Sequence, residues 1–379
     1  MKGATKQIIG WIKKESVLVI AIVLAAVSMF MVPPDGQYAG YIDYKTIGLL
    51  FCLMSVMAGY QKIGIFQWMG QTLLTKVKMS RSVSAVLVFL CFFTSMFITN
   101  DVSLLTFVPF SLIVLEMAEM EELLVPVVVL QTIAANLGSM LLPFGNPQNL
   151  YLYGQSGYGI LQFATVILPY GIISFVLLAF SLLGIKKVPV TLHILQHNTS
   201  EIKSNKGKII AYTVLFVLCI LAVAHILPWI IVLVIVSVTI LLLDKELFRR
   251  VDYSLLLTFV FFFLFIGNLG RIPSFCKFLE GILKGNEVIT AVLASQIISN
   301  VPTALLLSGF SNQWDALIIG TNLGGLGTLI ASMASLISYK QVAQKKPEYK
   351  KKYFRLFTIA NVIYLIILMV AWLVFKFML

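Results

Sequence analysis

Polar residues interrupt the long apolar stretches of this chain at four places, and these interruptions are where its chemistry can occur. In lipid, the backbone groups at such a break would stay unpaired, at a cost of several kcal/mol each. We therefore expect the four breaks to face other parts of the protein or a water-filled cavity. The four are Thr99-Asn100-Asp101, Gly145-Asn146-Pro147-Gln148-Asn149, Ser299-Asn300-Val301-Pro302-Thr303 and Ala331-Ser332-Met333-Ala334-Ser335.

The residue types at the breaks suit small ions of either charge. A helix that restarts after a break offers free N–H groups and a partial positive charge, which favour an anion. Unwound carbonyl groups and the oxygens of Asn, Ser and Thr favour sodium. The candidate substrate- and ion-binding residues are Thr99, Asn100, Asp101, Gly145, Asn146, Gln148, Asn149, Ser299, Asn300, Thr303, Ser332 and Ser335.

Asp101 is the only acidic residue deep within an apolar stretch. An ionisable side chain inside a membrane is a functional candidate, because burying an uncompensated charge is costly. Asp101 can bind a cation or carry a proton, or it caps the helix that follows the break. If the cation is sodium, we expect its ligands among Asn100, Asp101 and Asn300. No other cofactor and no catalytic residue is predicted.

The composition indicates where the chain resides. Hydrophobic residues make up 59% of the 379 residues and charged residues 12%, against about 45–50% and about 25% in soluble domains. A lipid bilayer is therefore the expected partner. The net charge of +12 fits the Lys and Arg excess of cytoplasmic loops better than a nucleic-acid-binding surface. Without a phosphate-binding loop, or a nucleophile–base pair or metal ligands at depth, neither an ATP-driven pump nor an intramembrane enzyme is predicted.

Apolar runs close to the length that crosses about 30 Å of hydrocarbon recur along the chain. Two further regions, 82–115 and 288–310, are apolar on both sides of a polar break. In the second, arms of about 11 and 10 residues would each reach roughly 16 Å, half of the bilayer, which favours a re-entrant hairpin over one kinked span. The predicted spans are 17–33, 46–60, 160–185, 209–227, 229–243, 252–270 and 354–377, with interrupted spans at 123–155 and 314–342.

The distribution of positive charge supports hairpins in both regions. With both hairpins returning to their own side and the N-terminus in the cytoplasm, five loops face the cytoplasm. These loops hold 4, 4, 5, 3 and 7 Lys or Arg residues, 23 of the 28. A single span at 288–310 would move the last of these loops outside, against the positive-inside rule. The five loops are 1–16, 61–81, 186–208, 244–250 and 340–355.

Short motifs recur in the two halves of the chain in the same order, which indicates an internal repeat. The matching pairs are Ile42-Asp43-Tyr44 with Val251-Asp252-Tyr253, Thr99-Asn100-Asp101 with Ser299-Asn300-Val301, and Ala135-Asn136-Leu137-Gly138-Ser139 with Thr321-Asn322-Leu323-Gly324-Gly325.

The repeat defines the predicted fold. We place repeat one at about 16–185, a linking loop and helix at 186–227, and repeat two at about 228–378, all within one transmembrane domain of residues 1–379. The extra helix between the repeats turns the second one upside down in the membrane. The predicted fold is thus an all-α membrane protein of two inverted repeats, each with a re-entrant hairpin and a discontinuous transmembrane helix, a recurring transporter architecture.

These motifs carry a resemblance to a known superfamily. The order Thr-Asn-Asp, Asn-Leu-Gly, Gly-Asn-Pro-Gln-Asn, Ser-Asn-Val-Pro-Thr and a second Asn-Leu-Gly resembles the ion transporter superfamily. Within it, the sequence is most similar to the arsenite permease and sodium–proton antiporter branch, which is related to the divalent anion/sodium symporters. The resemblance implies a homodimer with an elevator-like motion, and sodium between each hairpin tip and the adjacent helix break.

In the divalent anion/sodium symporters both hairpin tips carry Ser-Asn-Thr, which contacts substrate carboxylates. In this sequence Asp101 and Val301 stand where those tips have threonine. The resemblance therefore implies roles in substrate binding for the tip residues that match. These are Thr99, Asn100, Ser299 and Asn300.

The predicted function is secondary active transport of a small inorganic or organic anion, coupled to Na⁺ or H⁺. We expect a multi-pass protein of the cell (inner or plasma) membrane with a cytoplasmic N-terminus and an external C-terminus. Two alternatives stay open. One is a Na⁺/H⁺ antiporter with Asp101 as the exchange site, and the other is an arsenite or antimonite efflux permease.

Overall fold

A computed structural model describes residues 15–190, 202 and 204–378, and this part of the chain folds into α-helices joined by loops. Most of the predicted cytoplasmic loop 1–16 and much of the loop 186–208 lie outside the described residues. The principal helices are α1 (Ser16–Met31), α2 (Tyr44–Ile63), α3 (Ile65–Leu74), α4 (Ser80–Ile98), α5 (Asn100–Met117), α6 (Glu121–Ser139), α7 (Pro147–Ser156), α8 (Ile160–Leu183), α9 (Lys206–Val223), α10 (Trp229–Asp244), α11 (Tyr253–Leu269), α12 (Pro273–Leu283), α13 (Glu287–Ile298), α14 (Asn300–Ser308), α15 (Trp314–Leu323), α16 (Met333–Lys345) and α17 (Lys350–Met378).

The prediction of an all-α membrane protein is confirmed. Among the described residues, seven helices are long and apolar enough to cross a membrane, or eight if the bent pair α11–α12 is one span. Each predicted span coincides with a helix, and both interrupted spans are broken where the polar residues lie. One boundary differs: α9 ends at Val223 rather than near 227, because His225 takes a left-handed φ of 61° that an α-helix cannot continue through.

The helices α2 and α11 begin and end alike. The Asp43 carboxylate accepts a hydrogen bond from Thr46 N at 3.0 Å, and the Asp252 carboxylate accepts one from Leu255 N at 3.0 Å. Each aspartate therefore caps the N-terminus of its helix. A second, amphipathic helix follows both: α3 starts beyond Gly64, whose φ is 78°, and α12 turns away from α11 by 103°.

The α4–α5 pair forms a helical hairpin. Gln131 of α6 donates through Nε2 to the Leu87 carbonyl at 3.1 Å and to Ser111 Oγ at 2.7 Å. Leu87 and Ser111 are equally far from Thr99, so the two arms lie side by side well away from their tip. These arms have 19 and 18 residues, about 28 and 27 Å. The arms of α13–α14 have 12 and 9 residues, about 18 and 14 Å.

The helices pack in crossed pairs. Helix α1 packs on α11 while α10 packs on α2, and α5 packs on α16 while α14 packs on α7. Within the halves, α4 packs on α6 and α13 packs on α15. Every one of these contacts thus has a counterpart in the other half of the chain. The apolar side chains buried along these contacts form one continuous core.

Polar contacts between loops divide the ends of the helices into two sets. The lysine-rich end is the end that carries the described parts of 61–81, 186–208, 244–250 and 340–355. There the loop 61–81 contacts both 186–208 and 244–250, and the loop 340–355 contacts the end of α5. The opposite end carries 32–43, 153–158, 225 and 271. At the lysine-rich end the contacts include Lys62–Asp244 at 2.7 Å, Ser80–Lys186 at 2.6 Å and Lys346–Glu116 at 2.9 Å; at the opposite end they include Arg271–Asp35 at 2.7 Å, Lys45–His225 at 2.9 Å and Tyr158–Asp315 at 2.7 Å.

Candidate functional site

The two hairpin tips share one unusual backbone conformation. Thr99 has φ 67° and ψ 153°, and Ser299 has φ 75° and ψ 154°. Only glycine adopts this region without strain, so the surrounding structure must hold both residues there. At each tip the next helix starts at once, with Asn100 or Asn300 as its first residue, and both asparagines are buried.

Asn136, near the end of α6, connects the first tip to the second half of the chain. It accepts at Oδ1 from Asn100 Nδ2 at 3.1 Å and from Ser332 Oγ at 2.9 Å. It donates through Nδ2 to Ser335 Oγ at 3.3 Å. Ser332 and Ser335 are the N-cap and third residue of α16. The buried amide of Asn136 therefore joins the first hairpin tip to the start of α16, which belongs to the second half of the chain.

Asn322, near the end of α15, makes the reciprocal connection. It accepts at Oδ1 from Asn146 Nδ2 at 3.1 Å and donates through Nδ2 to Asn149 Oδ1 at 2.6 Å. Asn146 is the N-cap of α7, where its Oδ1 accepts from Asn149 N at 2.9 Å. Asn322 thus contacts the N-cap and third residue of α7, the same positions that Asn136 contacts on α16.

The two connections form one buried network. Asn146 also donates to Ser139 Oγ at 3.3 Å, and Ser139 Oγ donates to the Asn136 carbonyl at 2.9 Å. Both half-helix N-termini, α7 and α16, therefore meet at the centre of the protein, between the two hairpins. Free N–H groups at such helix starts favour an anion or a polar oxygen.

The second hairpin tip joins this network through a backbone carbonyl. The Asn300 N–H donates to the Ala331 carbonyl at 2.9 Å, and Ser299 Oγ donates to the same oxygen at 3.4 Å. Ala331 directly precedes Ser332 in the unwound segment between α15 and α16. Gln296 braces this segment by donating through Nε2 to the Gly324 and Leu326 carbonyls, both at 3.0 Å.

The remaining predicted residues have simpler surroundings. Gly145 must be glycine, because a methyl group there would overlap the Ser139 carbonyl. Gln148 is buried in the first turn of α7. Thr303 donates to the Ser299 carbonyl at 2.8 Å, one turn back in its own hairpin, which stabilises the tip.

Asp101 lies beside Asn100 at the start of α5. The Asn100 side chain accepts from Asp101 N at 3.0 Å. Carboxylate Oδ1 of Asp101 is buried and has no hydrogen-bond partner among the described residues. Over the same residues, no three His, Cys, Asp or Glu side chains lie together as metal ligands. A single cation bound at Asp101 would therefore take its other ligands from amide, hydroxyl and carbonyl oxygens.

Asn136 and Asn322 were not among the predicted binding residues, although both occur in the motifs that defined the repeat. The prediction assigned binding only to residues at the breaks, and these two asparagines each lie nine residues before the start of a break. Their signal was present in the sequence: an asparagine at the end of an otherwise apolar helix needs a partner.

A family model for citrate transporters, CitMHS, matches residues 8–311, which is most of the chain. The chain belongs to this family. An uncharacterized transporter of Methanocaldococcus jannaschii is 36% identical over 302 residues, covering 79% of this chain and 81% of that protein. The inner membrane protein YbiR of Escherichia coli is 27% identical over 84% of this chain and 85% of its own length.

A third relative matches a smaller part of the chain. A silicon efflux transporter of Oryza sativa subsp. japonica is 33% identical over 151 residues, which are 38% of this chain and 30% of that protein. Together, the family and the names of these relatives identify a multi-pass membrane transporter, not an enzyme.

Proposed function

We propose that this chain is a secondary active transporter that moves a small anion across the cell membrane, coupled to Na⁺ or H⁺. The observation that carries the proposal is the reciprocal pair of asparagines. Asn136 and Asn322 each join the end of one broken helix to the start of the other. We place the substrate where these starts and the two hairpin tips meet, between two inverted repeats of about 16–185 and 228–378.

The recognition of an anion would rely on dipoles rather than on fixed positive charge. Neither 82–185 nor 285–339, which together contain the site, has a single Lys or Arg. The available groups are the N–H donors of α7 and α16, and the amides and hydroxyls of the network. Such a site would hold an anion weakly unless a cation binds with it.

The coupling ion would act at Asp101. Its buried Oδ1 has no hydrogen-bond partner in the described chain, and an ionised carboxylate in that position needs compensation. Either a sodium ion or a proton supplies it. Na⁺/H⁺ exchange at Asp101 without an anion is the alternative in which the same carboxylate is the whole site.

A second candidate substrate is a neutral hydroxylated solute, such as arsenous or silicic acid. The observation that favours it is the same lack of Lys and Arg, combined with the carboxylate at the first tip. A neutral solute needs no countercharge and would hydrogen-bond to Asn and Ser side chains. One relative is named as a silicon efflux transporter, and the resemblance to the arsenite permeases points the same way.

A thermal-shift experiment separates these substrates, because a ligand that binds only the folded protein raises its Tm. Purified protein would be heated with sodium, lithium or potassium, each combined with citrate, phosphate, arsenite or silicic acid. The anion proposal predicts a shift that needs an anion together with either one of these cations or, if a proton is the coupling ion, a lower pH. It is contradicted if arsenite or silicic acid shifts the Tm and no anion does.

Variants identify the site of the shift. Asn100→Ala and Asn300→Ala are each expected to abolish the ligand-dependent shift while the protein still inserts and folds. Ser308→Ala is the matched control and should keep the shift. Ser308 lies on α14, the same helix as Asn300, and its hydroxyl bonds Tyr151 of α7. If both asparagine variants respond as the unmodified protein does, the site assignment is wrong.

Orientation and assembly complete the proposal. We propose that the lysine-rich end faces the cytoplasm, following the positive-inside rule, and that the protein is a homodimer with an elevator-like motion, as the resemblance implies. Single cysteines at positions 35, 156 and 280 should react with an impermeant reagent outside intact cells. A cysteine at position 346 should not, and its reaction from outside would overturn the hairpin topology.

A further inference from the structure

A hydrogen bond closes the protein at the end opposite the lysine-rich end. Gln155, near the end of α7, donates through Nε2 to Asp43 Oδ2 at 3.1 Å. Asp43 caps α2, which packs on α9 and α10, whereas α7 packs on α14 and α15. Helices α2 and α7 also pack on each other at this end, and the Gln155–Asp43 contact lies where they meet.

The chain contains the same two residue types at the matching positions of its second half. Asp252 caps α11 as Asp43 caps α2. Gln341 lies nine residues after Ser332, the N-cap of α16, and Gln155 lies nine residues after Asn146, the N-cap of α7. An aspartate at a helix start and a glutamine on a half-helix thus occur twice, once at each end of the protein.

At the lysine-rich end the second pair is separated by an open cavity. The cavity has a volume of about 370 Å³ and lies between α1, α5, α11 and α16, with Asp252 and Gln341 both in its wall. Gln341 Nε2 donates to the Leu104 carbonyl at 3.4 Å instead of to the aspartate. Gln341 Oε1 is buried and has no hydrogen-bond partner within the described chain.

This cavity leads towards Asp101. Leu105 lines it and lies one helical turn after Asp101 on α5, and Met333, the first residue of α16, lines it as well. The cavity therefore extends from the lysine-rich end to within about one helical turn of the first hairpin tip. In this conformation Asp252 and Gln341 face the cavity, whereas Asp43 and Gln155 are in contact at the opposite end.

We propose that Asp252 and Gln341 are the gate of the lysine-rich end, and that they close the cavity by the contact that Asp43 and Gln155 make at the opposite end. The proposal rests on the proposed transport function, since alternating access requires one closed end at a time. The two contacts exclude each other: when α16 moves against α11 and the first closes, α7 leaves α2 and the second opens. A carboxylate–amide bond is weak enough to break in every cycle.

Cross-linking in lipid nanodiscs tests the gate without a known substrate. The native Cys52, Cys91, Cys219 and Cys276 are first replaced by alanine. One variant carries Asp43→Cys with Gln155→Cys and another carries Asp252→Cys with Gln341→Cys, each treated with a short bifunctional thiol reagent. Both contain Ile337→Cys in the cavity wall, blocked reversibly during the cross-linking and then exposed to a bulky thiol label.

We expect a cross-link between positions 252 and 341 to abolish labelling of Ile337→Cys, and a cross-link between 43 and 155 to leave it intact. Lys351→Cys, at an exposed surface position, should be labelled equally in both. In a further variant that carries both introduced pairs, at positions 43 and 155 and at positions 252 and 341, no molecule should contain both cross-links. Unchanged labelling after the 252–341 cross-link, or a doubly cross-linked molecule, would overturn the proposal.

If the conformation with the 252–341 contact is rarely populated, a variant that destabilises the alternative conformation makes it detectable. Gln155→Ala removes the contact at the opposite end and should increase the rate of the 252–341 cross-link. If that rate does not change, or no cross-link forms, the gate assignment is wrong. A failed gate with a cation- and anion-dependent Tm shift leaves the proposed transport function standing, whereas an intact gate without any such shift contradicts the substrate and coupling ion alone.

Discussion

The two hairpin tips have the same backbone and different chemistry. Thr99 and Ser299 share their torsion angles within about ten degrees, and each is followed by a buried asparagine. The next residue is Asp101 in one tip and Val301 in the other. Both tips thus have the same local backbone geometry, whereas an ionisable side chain occurs at one tip alone.

The tips also differ in what they contact. The Asn100 side chain reaches Asn136 and, through it, the start of α16. Asn300 instead uses its backbone N–H to bond the Ala331 carbonyl. The first tip is therefore connected by side chains, which mutation can remove, and the second by the main chain, which mutation leaves in place. Changes around the first tip should consequently have larger effects.

The largest effect is expected from Gly138→Ala, where α6 packs on the first hairpin. A methyl group there would overlap the Phe92 backbone carbonyl, which cannot rotate away. In the matching position, Gly324→Ala would bring a methyl group to 2.6 Å from Ser295 Oγ, which can rotate away, and to 2.8 Å from Ser295 Cβ and the Gly320 carbonyl. The backbone overlap is therefore smaller than the one at Gly138. We expect Gly138→Ala to cost about 3 kcal/mol or more and Gly324→Ala about 1–3 kcal/mol. Thermal unfolding in detergent measures both, and equal losses would contradict the comparison.

The second prediction removes the difference between the tips. Asp101→Val gives the first tip the residue type of the second and should abolish any sodium-dependent rise in Tm. At a sodium concentration 100 times its Kd, that rise corresponds to about 2.7 kcal/mol in the unmodified protein. Asp101→Asn should separate the ions: it weakens sodium binding if sodium is the ligand, and mimics the protonated form if a proton is.

The matched control is Asp315→Asn, since Asp315 is also a helix-start carboxylate but lies at the opposite end, where Tyr158 donates to it at 2.7 Å. It should leave the ion response unchanged. Should Asp101→Asn preserve both the sodium and the pH dependence of transport, Asp101 serves the structure alone, through the attraction of its carboxylate to the N-terminal end of the α5 dipole.

Most of the helices could be predicted from the sequence, because an apolar run of about 20 residues has few alternatives in a bilayer. The breaks could be predicted as well, since Asn146-Pro147 and Ser299-Asn300 place polar groups within such runs. The unequal hairpins follow from the predicted bounds too, since 82–115 is longer than 288–310. The contact that fixes the start of α4, between Ser80 and the Lys186 carbonyl at 2.6 Å, could not be predicted, because it joins residues that are distant in the sequence.

The binding residues could be predicted only in part. The breaks identified Asn146 and Ser332, but their partners Asn322 and Asn136 lie more than 170 positions away along the chain. The motif pair had placed these asparagines at equivalent positions in separate halves. That the two halves exchange contacts, each asparagine bonding the other half's helix start, follows from how the halves pack rather than from either motif.

The third prediction compares the two reciprocal asparagines. Asn136→Ala removes bonds to Asn100, Ser332 and Ser335, and leaves the first tip without its side-chain anchor. Asn322→Ala removes bonds to two amides that keep other partners, Ser139 for Asn146 and Met140 for Asn149. Each variant should cost about 1–3 kcal/mol, with Asn136→Ala the larger. Thermal unfolding of both variants checks the order. A greater loss of stability for Asn322→Ala would contradict the expectation that changes around the first tip have the larger effects.

The smallest effect is expected at the base of the first hairpin, where Lys346 donates to Glu116 at 2.9 Å and lies 3.6 Å from Glu121. The bond to Glu116 raises the pKa of Lys346 above its usual value, so the pair contributes stability below about pH 10.5 and loses it as the pH rises further. Because the pair is exposed to solvent, Lys346→Gln should lower the Tm slightly, and added salt should erase the difference from the unmodified protein. Lys345→Gln, which removes the same charge from the exposed preceding residue, is the control. A loss for Lys346→Gln that persists in 1 M salt would show that the base of this hairpin is held by packing around Lys346 rather than by its charge.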